Sequence, residues 1–182
     1  LDRISAALSG EPTTREDLVE LLRDVQADGL IAADTLRMME GAIAVADMTV
    51  ADVMVPRAQM VALPADARFL DLMKDVVESG HSRFPVHGED KDEILGIIHE
   101  LLRPAVMIPE SKKLNLLLRE FRQSRNHMAI VIDEYGGVAG LVTIEDVLEE
   151  IVGEIDDEHD DDADEAVLIA AQSLLIVAFV MI

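Results

Sequence analysis

Thr143 and Asp146, in the segment GLVTIEDV, are the residues whose spacing is best suited to binding a ligand. An apolar run typical of a strand precedes Thr143 and a helical pattern follows it, so both residues stand at a helix N-terminus. Unpaired backbone N–H groups and the positive end of the helix dipole attract a phosphate there, and Thr143 adds a hydroxyl. Asp146 can accept hydrogen bonds from ribose hydroxyls. The same Thr-x-x-Asp spacing forms a capping box that needs no ligand, and spacing alone favours this second interpretation.

Arg83, in the segment HSRFPV, is a candidate cation for such a phosphate. A guanidinium binds phosphate oxygens through paired hydrogen bonds. An arginine before a strand is more often simply solvated, so both interpretations stay open. His127, before the run MAIVID, can stack on a base or lie half-buried at a strand start, and the residues alone favour the second.

The acidic segment EIDDEHDDDADE, residues 154–165, carries many oxygen ligands of the kind that magnesium prefers. Asp156, Asp157 and Glu158 are candidate metal ligands, and His159 is a lone further candidate. A specific site needs converging geometry, and a segment of this charge density cannot bury itself. The composition therefore favours a solvated linker over residues 156–165.

The composition of the whole chain restricts the classes of function. With 37 acidic and 15 basic residues among 182, the formal net charge is -22, which opposes binding to nucleic acid. The absence of cysteine from the sequence excludes disulfides, thiolate zinc sites and a cysteine nucleophile. The five histidines are scattered, and neither a nucleophile-elbow motif nor a zinc-protease motif occurs. We therefore expect no enzymatic activity.

A helical lead-in over residues 1–47 precedes the segments that carry these residues. Thr13 and Glu16 predict a capping box at the start of TTREDLVELLRD, and an amphipathic apolar stripe follows it. A second helix is predicted to start at Asp34 and to run through MMEGAIAVA.

An internal repeat with an offset of about 45 residues organises the middle of the chain. Pro64 and Pro109 occupy matching positions, and each is followed by a helix-capping candidate, Asp66 or Ser111. Two apolar runs follow the helix in each copy, so the unit is strand, helix, strand, turn, strand. The apolar positions of the helix recur at the same spacing: Phe69, Leu72, Met73 and Val76 match Leu114, Leu117, Leu118 and Phe121. Gly96 matches Gly140 after a shift of one residue.

The two copies differ where they end. The second copy continues into an amphipathic helix, whereas His99 in the first copy leads directly to Glu100 with no room for one. We expect a first unit over residues 48–99 without its last helix and a second unit over residues 100–155. The apolar segment 166–182 is marginal in length for a membrane span and has no basic flank, so we favour buried strands of a further domain over that alternative.

Four segments together resemble the CorC family, whose members are called magnesium and cobalt efflux proteins. They are DVMVPRAQMVAL from Asp52, HSRFPV from His81, HMAIVIDEYGGVAGLVTIEDVLEEIVGEI from His127, and the acidic run after it. With the lead-in, the resemblance extends over residues 1–162. It implies an α/β (α+β) fold built on a tandem pair of cystathionine β-synthase (CBS) domains, a Bateman module. The helical lead-in would precede this pair, and residues 166–182 would be a fragmentary β-rich remnant of a transporter-associated domain.

The resemblance also implies a function, namely binding of an adenine nucleotide, ATP or AMP with Mg2+, between the halves of the pair. Such binding would regulate the transport of divalent cations, with a membrane transport component and a second CBS pair in a homodimer as partners. The implied location is cytoplasmic, at the inner face of the plasma membrane. The residues implied to contact the nucleotide are Val55, His81, Arg83, Leu141, Thr143 and Asp146.

Two other functions stay open from the residues alone. One is a ligand-free protein–protein interaction module with an acidic tail, in which Thr143 and Asp146 only cap a helix. The other is a nucleotide hydrolase, for which the sequence shows no evident catalytic base.

Overall fold

The computed structural model describes residues 12–98 and 102–153, and it begins with two helices. Helix α1 spans Arg15–Ala27 and helix α2 spans Ala33–Val45. A four-residue helix, α3 (Val50–Val53), comes next, followed by strand β1 (Val55–Pro56) and a 3-10 turn (Arg57–Gln59). The described part of the lead-in is therefore helical, as the sequence predicts.

Two units of the same construction follow. The first repeat consists of β2 (Leu63–Pro64), α4 (Phe69–Ser79), β3 (Phe84–His87) and β4 (Ile94–Ile98). The second repeat consists of β6 (Met107–Pro109), α5 (Leu114–Ser124), β7 (Met128–Ile132), β8 (Val138–Thr143) and α6 (Ile144–Val152). Strand β5 (Leu102–Arg103) stands between them. In both repeats the first strand is parallel to the second, and the second is antiparallel to the third. The predicted tandem α/β fold is confirmed.

Each repeat completes its sheet with a strand that precedes the other repeat. The sheet of the second repeat has the order β1-β8-β7-β6, and the sheet of the first has the order β2-β3-β4-β5. Strand β1, which precedes the first repeat in the chain, is antiparallel to β8 of the second. Strand β5, which precedes the second repeat, is antiparallel to β4 of the first. The chain therefore crosses between the two sheets at both strands, which ties the repeats together.

The two matching glycines occupy equivalent places in these sheets. Gly96 is the register partner of Val86, and Gly140 is the register partner of Val131, with an irregularity after the valine in both pairs. A Cβ atom on Gly96 would lie 2.6 Å from the carbonyl oxygen of Arg103, and one on Gly140 would lie 2.3 Å from that of Val55. Both glycines therefore allow the exchanged strand to approach closely.

Three apolar clusters make up the described core. One lies in the first repeat around Leu63, Val76 and Phe84. A larger one lies in the second repeat and includes Val45 of the lead-in. The third combines the two repeats, because Ile94 and Ile97 of β4 pack against a buried group made of Met60, Met128, Ile130, Val138 and Leu141. Burial of such a side chain stabilises the fold by about 1.5–3 kcal/mol, so the contact between the repeats is itself part of the core.

Helix α2 packs tightly on helix α6. A Cβ atom on Gly41 of α2 would lie 2.5 Å from the carbonyl oxygen of Glu150 and 2.6 Å from that of Ile151. The two helices therefore meet backbone to backbone at this point. Helix α1, in contrast, has no buried residue.

The predicted helix starts are wrong in detail. The capping box of α1 is formed by Thr14 and Asp17 instead of Thr13 and Glu16. The backbone N–H groups of both threonines donate to the same oxygen of Asp17, at 3.0 Å, so adjacent threonines share one acceptor and the cap moves by one residue. Helix α2 starts at Ala33 and has no side-chain cap.

Asp66 and Ser111 do not cap their helices either. The N-cap positions of α4 and α5 belong to Arg68 and Lys113, and neither makes a side-chain cap hydrogen bond. In both repeats a turn separates the proline from the helix, and Asp66 and Ser111 lie within that turn. The two repeats thus share this turn, although neither Asp66 nor Ser111 caps the helix that follows.

Asp92, in the loop between β3 and β4, is a polar link between the two repeats. It forms an ion pair with Arg57 and accepts a hydrogen bond of 2.8 Å from the backbone N–H of Val138 in β8. The hydrogen bond from Arg57, then that from Val138, lowers the pKa of Asp92 below its usual value. Asp90 adds a weaker contact to the same arginine at 3.2 Å.

We predict that Asp92→Asn lowers the free energy of unfolding at neutral pH and that this deficit closes in acid. Because the pKa of Asp92 is lower in the folded protein, its contribution is complete above about pH 5 and is lost as the pH falls through the folded-state pKa. Urea unfolding of both proteins between pH 7 and pH 3 measures this difference. Glu89→Gln, at an exposed position of the same loop, is the control. A deficit that stays constant over this range would show that Asp92 does not act through its charge.

Candidate functional site

A cavity of about 290 Å³ lies between the two repeats, and all six residues implied to contact a nucleotide line it. Val55, His81 and Arg83 reach it from β1 and the segment before β3, whereas Leu141, Thr143 and Asp146 reach it from β8 and α6. The remaining lining residues are Gln59, Met60, Val61, Ser82, Met128 and Glu145. Side chains that lie far apart in the sequence therefore line one cavity in the folded chain.

Thr143 and Asp146 form the capping box that their spacing predicts as the alternative to a phosphate site. The Thr143 backbone N–H donates to Asp146 Oδ2 at 2.6 Å, and the Asp146 backbone N–H donates to Thr143 Oγ1 at 3.2 Å. Here Oγ1 acts as an acceptor, so the hydroxyl can still donate its own proton, and the carboxylate has a second oxygen. Capping and ligand binding are thus compatible at these two residues.

Val55 is held at the cavity by the pairing of β1 with β8. It is the register partner of Leu141, and its neighbour Pro56 is the partner of Gly140. Because Gly140 has no side chain, the carbonyl oxygen of Val55 comes within the space that a Cβ atom would occupy. The position of Val55 in the cavity wall therefore depends on a glycine in the other repeat.

Arg83 is not free at the cavity, because it is paired with groups of the second repeat. Its Nη1 lies 3.5 Å from Glu145 Oε1, and its Nη2 lies 3.4 Å from Nδ1 of His127. His127 in turn lies 3.8 Å from the same Glu145 oxygen. His127 does not line the cavity but stands at its edge, so its place differs from that of a base-stacking residue inside it.

The floor of the cavity is apolar. Met60, Met128 and Leu141 are 6%, 7% and 7% exposed, and half-buried Val61 lies beside them. The polar groups of Thr143, Asp146 and Arg83 line the same cavity. An apolar floor beside convergent polar groups suits a ligand with a flat apolar ring and a charged tail.

Sequence reasoning missed half of the lining residues, for two different reasons. Met60, Val61 and Met128 are apolar, and nothing in the sequence distinguishes an apolar residue of a cavity from one of the core. Ser82 and Glu145 stand next to predicted residues, and that proximity was the available signal. Gln59, the sixth residue, carries no signal in the sequence.

The predicted metal ligands Asp156, Asp157 and Glu158 lie outside the described residues, as do the linker 156–165 and the apolar segment 166–182. Within residues 12–98 and 102–153, no group of three or more histidine, aspartate or glutamate side chains is arranged to hold a metal ion. No helix in that same part of the chain is long and apolar enough to cross a membrane.

Comparison with protein families gives two matches. The CBS domain profile matches residues 50–101 and 100–153, and a profile described as the N-terminal region of NMB0537 matches residues 10–45. The magnesium and cobalt efflux protein CorC of Vibrio cholerae serotype O1 is 45% identical in an alignment 168 positions long, which covers 82% of this chain and 58% of that protein. The chain thus spans little more than half the length of this curated relative.

Solved structures show the same fold with nucleotides bound. The CBS domain of the bacterial CNNM/CorC family Mg2+ transporter in complex with ATP is 37% identical, with a TM-score of 0.62 over 65% of this chain and 97% of that one. A CBS-domain pair with bound AMP from Klebsiella pneumoniae is 26% identical, with a TM-score of 0.53 over 59% of this chain and 100% of that one.

We predict that Gly140→Ala destabilises the protein by about 1–3 kcal/mol, because the new Cβ atom pushes β1 away from β8. Urea unfolding measures the change. Gly96→Ala is the matched comparison, since it places a Cβ atom against the exchanged strand β5, away from the cavity. Unchanged stability in Gly140→Ala would mean that β1 moves at no cost and that this pairing does not hold the cavity wall.

Proposed function

Because the chain belongs to the CorC family and carries a tandem pair of CBS domains, we propose that it is a regulatory module that binds an adenine nucleotide between its two repeats. The observation that carries the proposal is the cavity that gathers Val55, His81, Arg83, Leu141, Thr143 and Asp146. ATP or AMP is the ligand, with Mg2+ accompanying the phosphates.

The chemistry of the cavity supports this ligand. The apolar floor of Met60, Met128 and Leu141 can pack against the adenine ring, with Val55 beside the base or ribose. Asp146 can accept hydrogen bonds from the ribose, while the start of α6, the Thr143 hydroxyl and Arg83 offer hydrogen-bond donors to phosphate. Related CBS domains with bound ATP or AMP support the same assignment.

Regulation follows from the place of the ligand. Residues of both repeats line the cavity, so a nucleotide that binds there favours one arrangement of the repeats over others. We propose that this preference controls the efflux of divalent cations by a membrane component of the same transport system. The module then works as a homodimer of CBS pairs at the cytoplasmic face of the plasma membrane, without catalysing a reaction itself.

A second candidate is a protein–protein interaction module without a ligand. The complete capping box of Thr143 and Asp146 favours it, because both side chains have a structural role even when the cavity is empty. Under this alternative the acidic residues beyond α6 recruit the partner.

Calorimetric titration of ATP and AMP, with and without Mg2+, tests the proposed function. We expect saturable binding to the wild-type chain and a loss of about 10- to 100-fold in affinity in Thr143→Ala with Asp146→Ala, because hydrogen bonds to a charged ligand are removed. Thr143→Ser keeps a hydroxyl and a helix cap, so it is expected to retain binding.

A matched control separates ligand binding from helix capping. Thr14→Ala with Asp17→Ala removes an equivalent capping box from α1, outside the cavity, and is expected to leave nucleotide affinity unchanged. Each lost N-cap costs about 0.5–2 kcal/mol of stability, so all variants are checked by urea unfolding. A folded wild-type chain that binds neither nucleotide would refute the proposal and favour the interaction module.

A further inference from the structure

We propose that Glu145 sets the preference of the cavity for the number of ligand phosphates, by competing with phosphate for Arg83. This inference rests on the proposed nucleotide binding and concerns a residue that the sequence did not single out. Glu145 lines the cavity, and its Oε1 lies 3.5 Å from Arg83 Nη1. The side chain of Arg83 is 26% exposed and that of Glu145 is 58% exposed, so a ligand entering the cavity can reach both.

The charges around Arg83 favour competition between Glu145 and a phosphate for the guanidinium. The ionisable side chains that face this end of the cavity are Arg83, Glu145, Asp146, His81 and, at its edge, His127. Arg83 is the one arginine or lysine among them, and it stands against two carboxylates. A phosphate that binds the guanidinium therefore replaces or shares the contact with Glu145 and brings further negative charge close to it.

The cost of this exchange depends on the ligand. Without Mg2+, a triphosphate brings more negative charge to Arg83 and Glu145 than a monophosphate does, and adenosine brings none. Glu145 therefore weakens binding of ATP more than that of AMP and leaves adenosine unaffected. Its role is separable from helix capping, since the capping box of α6 uses Thr143 and Asp146.

Calorimetric titration of ATP, AMP and adenosine without Mg2+, which would offset part of the triphosphate charge, tests the inference in the wild-type chain and in Glu145→Gln. Exposed ion pairs contribute modestly, so we expect Glu145→Gln to bind ATP about two- to fivefold more tightly, with a smaller gain for AMP and none for adenosine. Glu149→Gln is the matched control, because it removes the same charge one turn later at an exposed position of α6. It is expected to change none of the three affinities.

A double-mutant cycle identifies the partner through which Glu145 acts. In the Arg83→Gln background, Glu145→Gln is expected to bring no gain in ATP affinity, since the contested guanidinium is absent. A gain that persists in that background, an equal gain for adenosine, or an equal gain in Glu149→Gln would overturn the inference. If the wild-type chain binds none of the three ligands, with or without Mg2+, the proposed function itself fails. Binding by the wild-type chain with unchanged affinities in Glu145→Gln would overturn this inference alone.

Discussion

The pairing of β1 with β8 is the interaction on which the rest of the described structure depends. Strand β1 comes before the first repeat in the chain but lies in the sheet of the second, opposite Leu141 and Gly140. The 3-10 turn and Met60 follow it, and Met60 packs into a cluster with Met128 and Leu141. Neither repeat therefore has a complete sheet by itself, and one of the three apolar clusters combines both repeats. The cavity depends on this pairing, because β1 places Val55 in the cavity wall beside Leu141 of β8.

The elements of the two repeats could be predicted because they are periodic. The apolar positions of α5 recur every three or four residues and become the buried residues Leu114, Leu117 and Phe121. The offset between Gly96 and Gly140 also survives in the structure as equivalent register positions. The strands β1 and β5 have two residues each and show no period. Strand β1 pairs with β8, which lies far from it in the chain. Such pairing depends on tertiary packing, which local patterns do not encode.

The cavity residues also divide into those that local sequence patterns could predict and those that only the folded chain brings together. Thr143 and Asp146 could be found because their spacing has a meaning within one turn of helix, and resemblance to the CorC family supplied Val55, His81, Arg83 and Leu141. The pairing of Arg83 with Glu145 and His127 could not be found in this way, since the three residues meet only when the segment before β3 reaches the start of α6. The start of α1 shows a further limit of prediction from sequence. Thr13 and Thr14 both donate to Asp17, and only the hydrogen-bond geometry decides which of them is the N-cap.

Helix α6 joins two places that are remote from each other in the chain. Its first turn borders the cavity, and near its other end the backbone of Glu150 and Ile151 lies against Gly41 of α2. Nine helical residues span about 13 Å and behave as a stiff rod. At the Gly41 contact no side chain is available to change its rotamer and absorb a displacement. A tilt of the stiff helix α6 at the cavity would therefore displace helix α2 of the lead-in as well.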